Sequence, residues 1–415
     1  MVMRILVFLG FLVSLGLLWP ERPAAHEAQT HFEVGVRAFS EGQYAEAVSS
    51  FSQAIASYPG YAQAHYMLGN AYYQQQAYDK ARQAFTQAIT HYPGYAEAYY
   101  MQAATLYQQQ DWQAAEPAVR QAMMLYPRYE EAYDLLGSLA ERQETWPKAI
   151  EAYQQGLQLN PDNSETRLRL GLVFERASQL EAAQRTYQQL LERQPQHAEA
   201  LLRLGLLAER QTQFQEALKT YQTLLTFHPE HVEAQYRLAV LYDSRGEVQQ
   251  ALTSYRRVLT LQPTHAEASL YLGILQAQTG EDRVAEQSYR QALASKPDFS
   301  EAQYHLALLY KKQQKWSAAM ELLQQVVERQ PGHIEAHYNL GLIYASLKQY
   351  RPAVTAFETV ITGRPDFREA HYSLGVCYEF YLADVPKALE HYRTFLALGG
   401  SDTRVKQLVE QSKKR

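Results

Sequence analysis

Cysteine is all but missing: Cys377 stands alone in 415 residues, which excludes an internal disulfide and any cysteine-based zinc site. Strong charge of either sign is also missing. A net charge of -5 lacks the basic footprint of a general nucleic-acid binder. Long Gly/Ser-rich or Pro-rich linkers do not occur, so nothing marks off a second domain. Gly-rich phosphate loops, nucleophile elbows and metal-spaced cysteine pairs are lacking too, so neither a catalytic residue nor a cofactor is expected. The nearest thing to a metal motif is His333-Ile334-Glu335-Ala336-His337, and its order departs from the zincin pattern, which needs Glu directly after the first His. We therefore assign it no metal.

What the chain does have is a period. Pro59, Pro93, Pro127, Pro161, Pro195, Pro229, Pro263, Pro297, Pro331 and Pro365 follow one another at intervals of 34 residues. With Pro counted as position 32, the second unit runs from Ala62 to Tyr95, and the same residue types return at the same offsets. Position 8 is Gly or Ala in every unit, position 20 is Ala from Ala47 through Ala353, and position 24 is mostly aromatic (Phe51, Phe85, Tyr153, Tyr187, Tyr221, Tyr255, Tyr289, Phe357). Small residues allow two helices to approach, and the ring at 24 is expected to fill the gap between neighbouring units, contributing roughly 1.5–3 kcal/mol when fully buried. Pro at 32 ends the second helix because it cannot continue the backbone ladder. Unit three, with Gln102 at position 7 and Pro117 inside its second helix, reads as the irregular one and predicts a kink.

This pattern is similar to that of the tetratricopeptide repeat family, whose interval is 34 residues. The resemblance covers Ala28 to about Leu398 and implies an all-α, superhelical α-solenoid of about eleven helix-turn-helix repeats. The predicted organisation is a signal peptide or N-terminal anchor over 1–25, eleven repeats over 28–400 and a C-terminal capping helix over 401–415. The eleventh unit gains one residue in its turn, so that Ala388 and Tyr392 take the roles of positions 20 and 24. Terminal repeats are expected to be atypical because one face meets water.

In that family, positions 2, 5, 9, 12 and 13 of the first helix line a groove. Position 2 is Glu in nine successive units, Glu97 to Glu369, for which an acid in the first helical turn is sufficient reason. Positions 5 and 9 are more telling. From unit five onward they read Leu168, Leu172, Leu202, Leu206, Tyr236, Val240, Leu270, Ile274, Tyr304, Leu308, Tyr338, Leu342, Tyr372 and Val376. Those rows predict an apolar, tyrosine-rich trough for a partner helix or extended segment, against the alternative that they pack on the neighbouring unit. Arg169, Arg203 and Arg237 at position 6 form a candidate anion row, against the alternative that they neutralise neighbouring glutamates. Of the family's carboxylate clamp, which uses Lys and Asn in the groove, Asn70 matches one part.

The one long apolar run, Ile5 to Trp19, follows Arg4 and is short for a full transmembrane span. Cleavage and retention as an anchor both stay open, since Pro23-Ala24-Ala25 is a poor cleavage signal; no cysteine follows the run for lipid attachment. Charge bias places the repeats on the exported side, periplasmic or anchored in the inner membrane facing the periplasm. The expected function is a non-enzymatic protein-protein interaction scaffold in envelope assembly, with protein partners and no nucleic acid. The alternative is a membrane-anchored regulatory adaptor of an envelope biosynthesis enzyme. The similar regulators of lipopolysaccharide synthesis carry paired CxxC motifs that this chain lacks.

Overall fold

The computed structural model describes residues 23–412. Among these residues there are 23 α-helices, one π-helical turn and no strand. The predicted leader over 1–25 lies outside the described residues except for its last three, which open the first helix, Pro23–Ser40. Pro at a helix start costs little, because the donor it lacks has no intrahelical partner there. No helix among the described residues is long and apolar enough to cross a membrane.

The chain divides into two compact units between Gln211 and Thr212, inside repeat six. The N-terminal unit holds repeats one to five and the first helix of repeat six (Ala198–Arg210). The C-terminal unit begins with that repeat's second helix (Phe214–Phe227), continues through repeats seven to eleven and closes with Thr403–Ser412. From repeat two to repeat ten every first helix has 13 residues and every second helix 14.

The position-8 glycines have a specific cause. A Cβ on Gly69, Gly137, Gly171 or Gly341 would come within 2.3–2.6 Å of the position-24 ring of the same repeat (Phe85, Tyr153, Tyr187, Phe357). The large ring therefore fills the space between the two helices of its own repeat, rather than chiefly the gap between units that the sequence suggested. Units three and nine carry Ala103 and Ala307 at position 8, and there position 24 is the smaller Val119 or Leu323.

The turn between the two helices is a Schellman closure: in repeat two, the Ala77 N–H donates to the Tyr72 carbonyl and the Gln76 N–H to the Tyr73 carbonyl, both at 2.9 Å. That closure puts position 15 in the left-handed region. Gly42, Gly246 and Gly280 adopt it freely, but so do Gln76, Gln110, Glu144, Ser178, Thr212, Gln314 and Lys348, with φ between 54° and 62°. A side chain there costs about 1 kcal/mol. We expect Glu144→Gly and Lys348→Gly each to stabilise the array by about 0.5–1 kcal/mol, measured as a higher melting temperature.

At the other end of the repeat, position 31 is extended, as a residue before proline must be (Tyr92 φ −139°, ψ 89°). Position 34 then caps the next first helix. Asn163 Oδ1 accepts the Thr166 N–H at 3.1 Å, and the Nδ1 atoms of His197, His231, His265 and His333 accept the N–H three residues on at 3.2–3.3 Å. Position 4 closes the proline turn by donating to the position-32 carbonyl, as His65 does to Pro59 at 2.9 Å and His337 to Pro331 at 2.9 Å.

Two units are irregular. Pro117 lies inside Trp112–Leu125, and that helix keeps the length of its counterparts. Gln102 turns outward and donates to Thr86 Oγ1 at 2.9 Å. The extra residue of repeat eleven is absorbed in the helix and not in the turn: Arg368–Val376 continues as a π-helical turn, Cys377–Tyr381, in which the Leu382 N–H reaches the Cys377 carbonyl at 3.1 Å. Cys377 is buried there, and burial pushes its thiol up to about 11.

Candidate partner-binding face

Positions 5 and 9 both lie on the first helix of each repeat, but the structure separates them. In the C-terminal unit the position-5 tyrosines are held between rings. Tyr236 stacks on His265 (centroids 4.7 Å), Tyr304 on His333 (4.9 Å) and Tyr338 on Phe367 (4.9 Å), each partner being the cap residue of the next repeat. On the other side, Tyr338 meets Phe357 of its own repeat at 5.8 Å. Tyr372 packs likewise on Phe395 and Tyr392. Position 5 thus joins one repeat to the next. Leu270 is fully buried and Leu202 is 9% exposed, so these two are core residues and not groove residues. Leu168 is half-buried against the core of repeats four to six.

Position 9 is half-buried, and part of it packs on the core: Val240, Ile274, Leu342 and Val376 lie against the buried clusters of their repeats. Leu172 and Leu206 in the N-terminal unit are half-buried, as are Val240, Ile274, Leu308, Leu342 and Val376 in the C-terminal unit. None of these aliphatic side chains is a capping or ring-stacking residue. Each presents part of its surface along the face of the first helices.

Each arginine of the row is paired with a carboxylate of its own helix, and Arg169 also donates to Ser138 Oγ of the preceding repeat at 3.2 Å. Arg169, Arg203 and Arg237 hold the position-2 carboxylates Glu165, Glu199 and Glu233 at 2.8, 2.7 and 2.6 Å, four residues back on the same helix. Such pairs contribute little to stability but occupy the guanidinium groups.

The position-12 carboxylates are occupied too, by a partner that the sequence reading missed. Tyr153 and Tyr187 at position 24 donate their hydroxyls to Glu141 and Glu175 at 2.5 Å, and Tyr392 donates to Glu379 at 2.6 Å. Burial and the adjacent carboxylate push these phenols well above the ordinary tyrosine value. The signal was legible: position 12 is acidic in repeats four to seven and in the shifted repeat eleven, where position 24 is Tyr, whereas Phe51, Phe85 and Phe357 face Phe39, Tyr73 and Ala345. Repeat eight, with Tyr289 and Ala277, is the exception.

Repeat nine departs from both patterns by placing Lys311 at position 12. Its Nζ donates to Asn339 Oδ1 at 2.5 Å, and Asn339 in turn donates to the Glu335 carbonyl at 2.8 Å and to the Tyr304 hydroxyl at 3.4 Å. Among the described residues no carboxylate pairs with Lys311, and burial lowers its pKa. It is a half-buried cation one helical turn from Leu308 and bonded to Asn339, one turn before Leu342.

His333 and His337 serve different partners, a helix cap and a proline carbonyl, so they do not converge on one point. Among the described residues no three His, Cys, Asp or Glu side chains come together as metal ligands.

His305, half-buried near Tyr304 and Tyr289, has its pKa lowered by burial. A base whose folded value is depressed withdraws stability as pH falls below its unfolded value of about 6.5, because only the unfolded chain takes the proton readily. Between pH 7.5 and 5 the melting temperature of the natural chain should therefore fall further than that of His305→Gln; parallel curves would contradict this.

Paired helices joined by Schellman turns, a ring against a small residue in most repeats and contacts between successive repeats define an all-α solenoid of helix-turn-helix units. The chain belongs to the tetratricopeptide repeat family. The tetratricopeptide repeat model matches residues 207–266, 236–298 and 338–403; that of the cilia and flagella-associated protein 70 C-terminal domain matches 19–231, and that of anaphase-promoting complex subunit 3 matches 278–360. Comparison with curated proteins found no match. Among solved structures, the C-terminal part of a TPR repeat-containing protein from Cytophaga hutchinsonii is 18% identical and covers 57% of this chain and 97% of its own, with a TM-score of 0.53. YrrB, described as a TPR protein with an unusual peptide-binding site, is 23% identical over 47% of this chain and 98% of its own (TM-score 0.41). MamA is 25% identical over 39% of this chain and 94% of its own (TM-score 0.37).

Proposed function

We propose that this protein is a non-enzymatic scaffold that takes a partner helix or extended segment along the first-helix face of repeats eight to ten. The observation that carries the reading is the half-buried aliphatic row Ile274, Leu308 and Leu342 beside a lysine without a carboxylate partner. The exposed part of this half-buried row offers apolar area, and Lys311 adds a preference for a carboxylate on the partner. The apolar run Ile5–Trp19 supports export, with the array working in envelope assembly on the far side of the inner membrane.

Lys311→Met tests the polar half of this reading. A charge-assisted hydrogen bond contributes about 1.5–3 kcal/mol, so the variant should hold its co-purifying partner at least tenfold more weakly, while loss of the donor to Asn339 Oδ1 lowers the melting temperature only slightly, since burial of the charge is relieved at the same time. Undiminished affinity would remove Lys311 from the site.

A further inference from the structure

One surface of the N-terminal unit differs from every later repeat. Position 31 is Tyr58, Tyr92 and Tyr126 at the ends of repeats one to three, and these rings are 39%, 56% and 52% exposed. In the seven units that follow, the position is Asn160, Gln194, His228, Gln262, Lys296, Gln330 and Arg364 in turn. Each exposed tyrosine abuts the position-34 tyrosine, with centroids 6.1 Å apart for Tyr58 and Tyr61, 5.7 Å for Tyr92 and Tyr95, and 5.8 Å for Tyr126 and Tyr129. The inner rings continue to Phe32 (5.1 Å), Tyr66 (4.8 Å) and Tyr100 (4.9 Å). Three rungs of three rings result, each anchored inside and open at its outer end. Beside the third rung Met124 is 75% and Leu125 38% exposed. The turns 58–61 and 92–95 carry no charge, and 126–129 carries Arg128 alone.

The chain enters on this same edge. Tyr61 donates to Gln29 Oε1 at 2.8 Å, and Gln29 lies less than two turns from Pro23, where the first helix begins. The apolar run Ile5–Trp19 ends four residues before that point. Tyrosine favours the layer between hydrocarbon and water, because its ring is apolar and its hydroxyl keeps hydrogen bonds. We propose that the tyrosine edge of repeats one to three lies in the headgroup layer of the bilayer that holds the N-terminal segment, with Met124 and Leu125 dipping below it and Arg128 meeting lipid phosphate. This rests on the reading that the segment is retained as an anchor. It goes beyond that reading, since it fixes which edge of repeats one to three faces the membrane.

The test uses the full chain bound to vesicles of phosphatidylethanolamine and phosphatidylglycerol. A fluorophore is placed on Tyr126→Cys or, as a control at the opposite end of a first helix, on Gln108→Cys; native Cys377 is 2% exposed and escapes labelling in the folded chain. Flotation with the vesicles reports anchoring, and quenching reports the edge. The inference expects flotation, acrylamide quenching at least threefold weaker at 126 than at 108, and quenching by brominated lipid at 126 alone. Tyr58→Ser with Tyr92→Ser should at least halve the brominated-lipid quenching at 126 while flotation persists. A chain that floats with both positions equally open to acrylamide overturns the edge and leaves the anchor standing. Shielding at 126 without brominated-lipid quenching overturns it in favour of a second copy or another polymer. Failure to float removes the anchor and the inference together.

Discussion

Replacing Gly341 by leucine melts the array around repeat ten. The Phe357 ring lies 2.5 Å from where even a Cβ would stand, so a leucine must push the two helices of the repeat apart. Overpacking of a filled core costs 1–3 kcal/mol, and here the obstacle is a fully buried ring with no free end to swing away, so about 3 kcal/mol or more is expected. Gly341→Ala should cost far less, because repeat seven already tolerates Ala239 against Tyr255. The contact can be isolated by a second change. Phe357→Ala alone should cost about 3–5 kcal/mol, yet the double variant should be much more stable than the sum of the two losses predicts. Hydrogen exchange should locate the damage in repeats nine to eleven and leave repeats one to four protected, since each repeat contacts its neighbours. Strict additivity of the two losses would mean that the glycine and the ring do not answer to each other.

The second large effect separates the two rows that the sequence had joined. Tyr304→Ser with Tyr338→Ser removes half-buried rings held against His333, Phe367 and Phe357 and should lower stability by about 1–3 kcal/mol for each ring. Leu308→Ser with Leu342→Ser removes half-buried aliphatic surface and should cost far less stability while abolishing partner capture. Measured melting temperatures and partner retention should therefore fall in opposite order for the two pairs. If both pairs lower stability alike and retention follows stability, position 9 is packing as well.

The fold was legible because the repeat advertises itself: proline every 34 residues and small residues at 8 and 20 are backbone and packing requirements that recur in every copy. The turn geometry was not, since seven of the ten left-handed position-15 residues are not glycine, and tertiary packing overrides their local preference. Repeat eleven misled for a related reason: one inserted residue can be taken up in a turn or as a π-helical turn, and the count alone is the same. At the candidate face, the spacing found the right helices but could not rank the rows. Position 5 became packing because the cap residue of the next repeat is aromatic or His, a contact between residues about 29 apart that periodicity within one helix does not reveal. Lys311 escaped notice because it is a single exception at position 12, which the period does not mark, and its lack of a carboxylate partner shows only in the contacts it makes.

The proposed partner site is the first-helix face of repeats eight to ten. The most direct measurement places a photocrosslinking side chain at Leu308 in the intact protein and, in a parallel sample, at Gln324 on the exposed side of the following second helix. A partner seated on this face gives a discrete crosslinked product from position 308, lost with Lys311→Met, and none from position 324. Crosslinking to the same partner from 324 and not from 308 would contradict it.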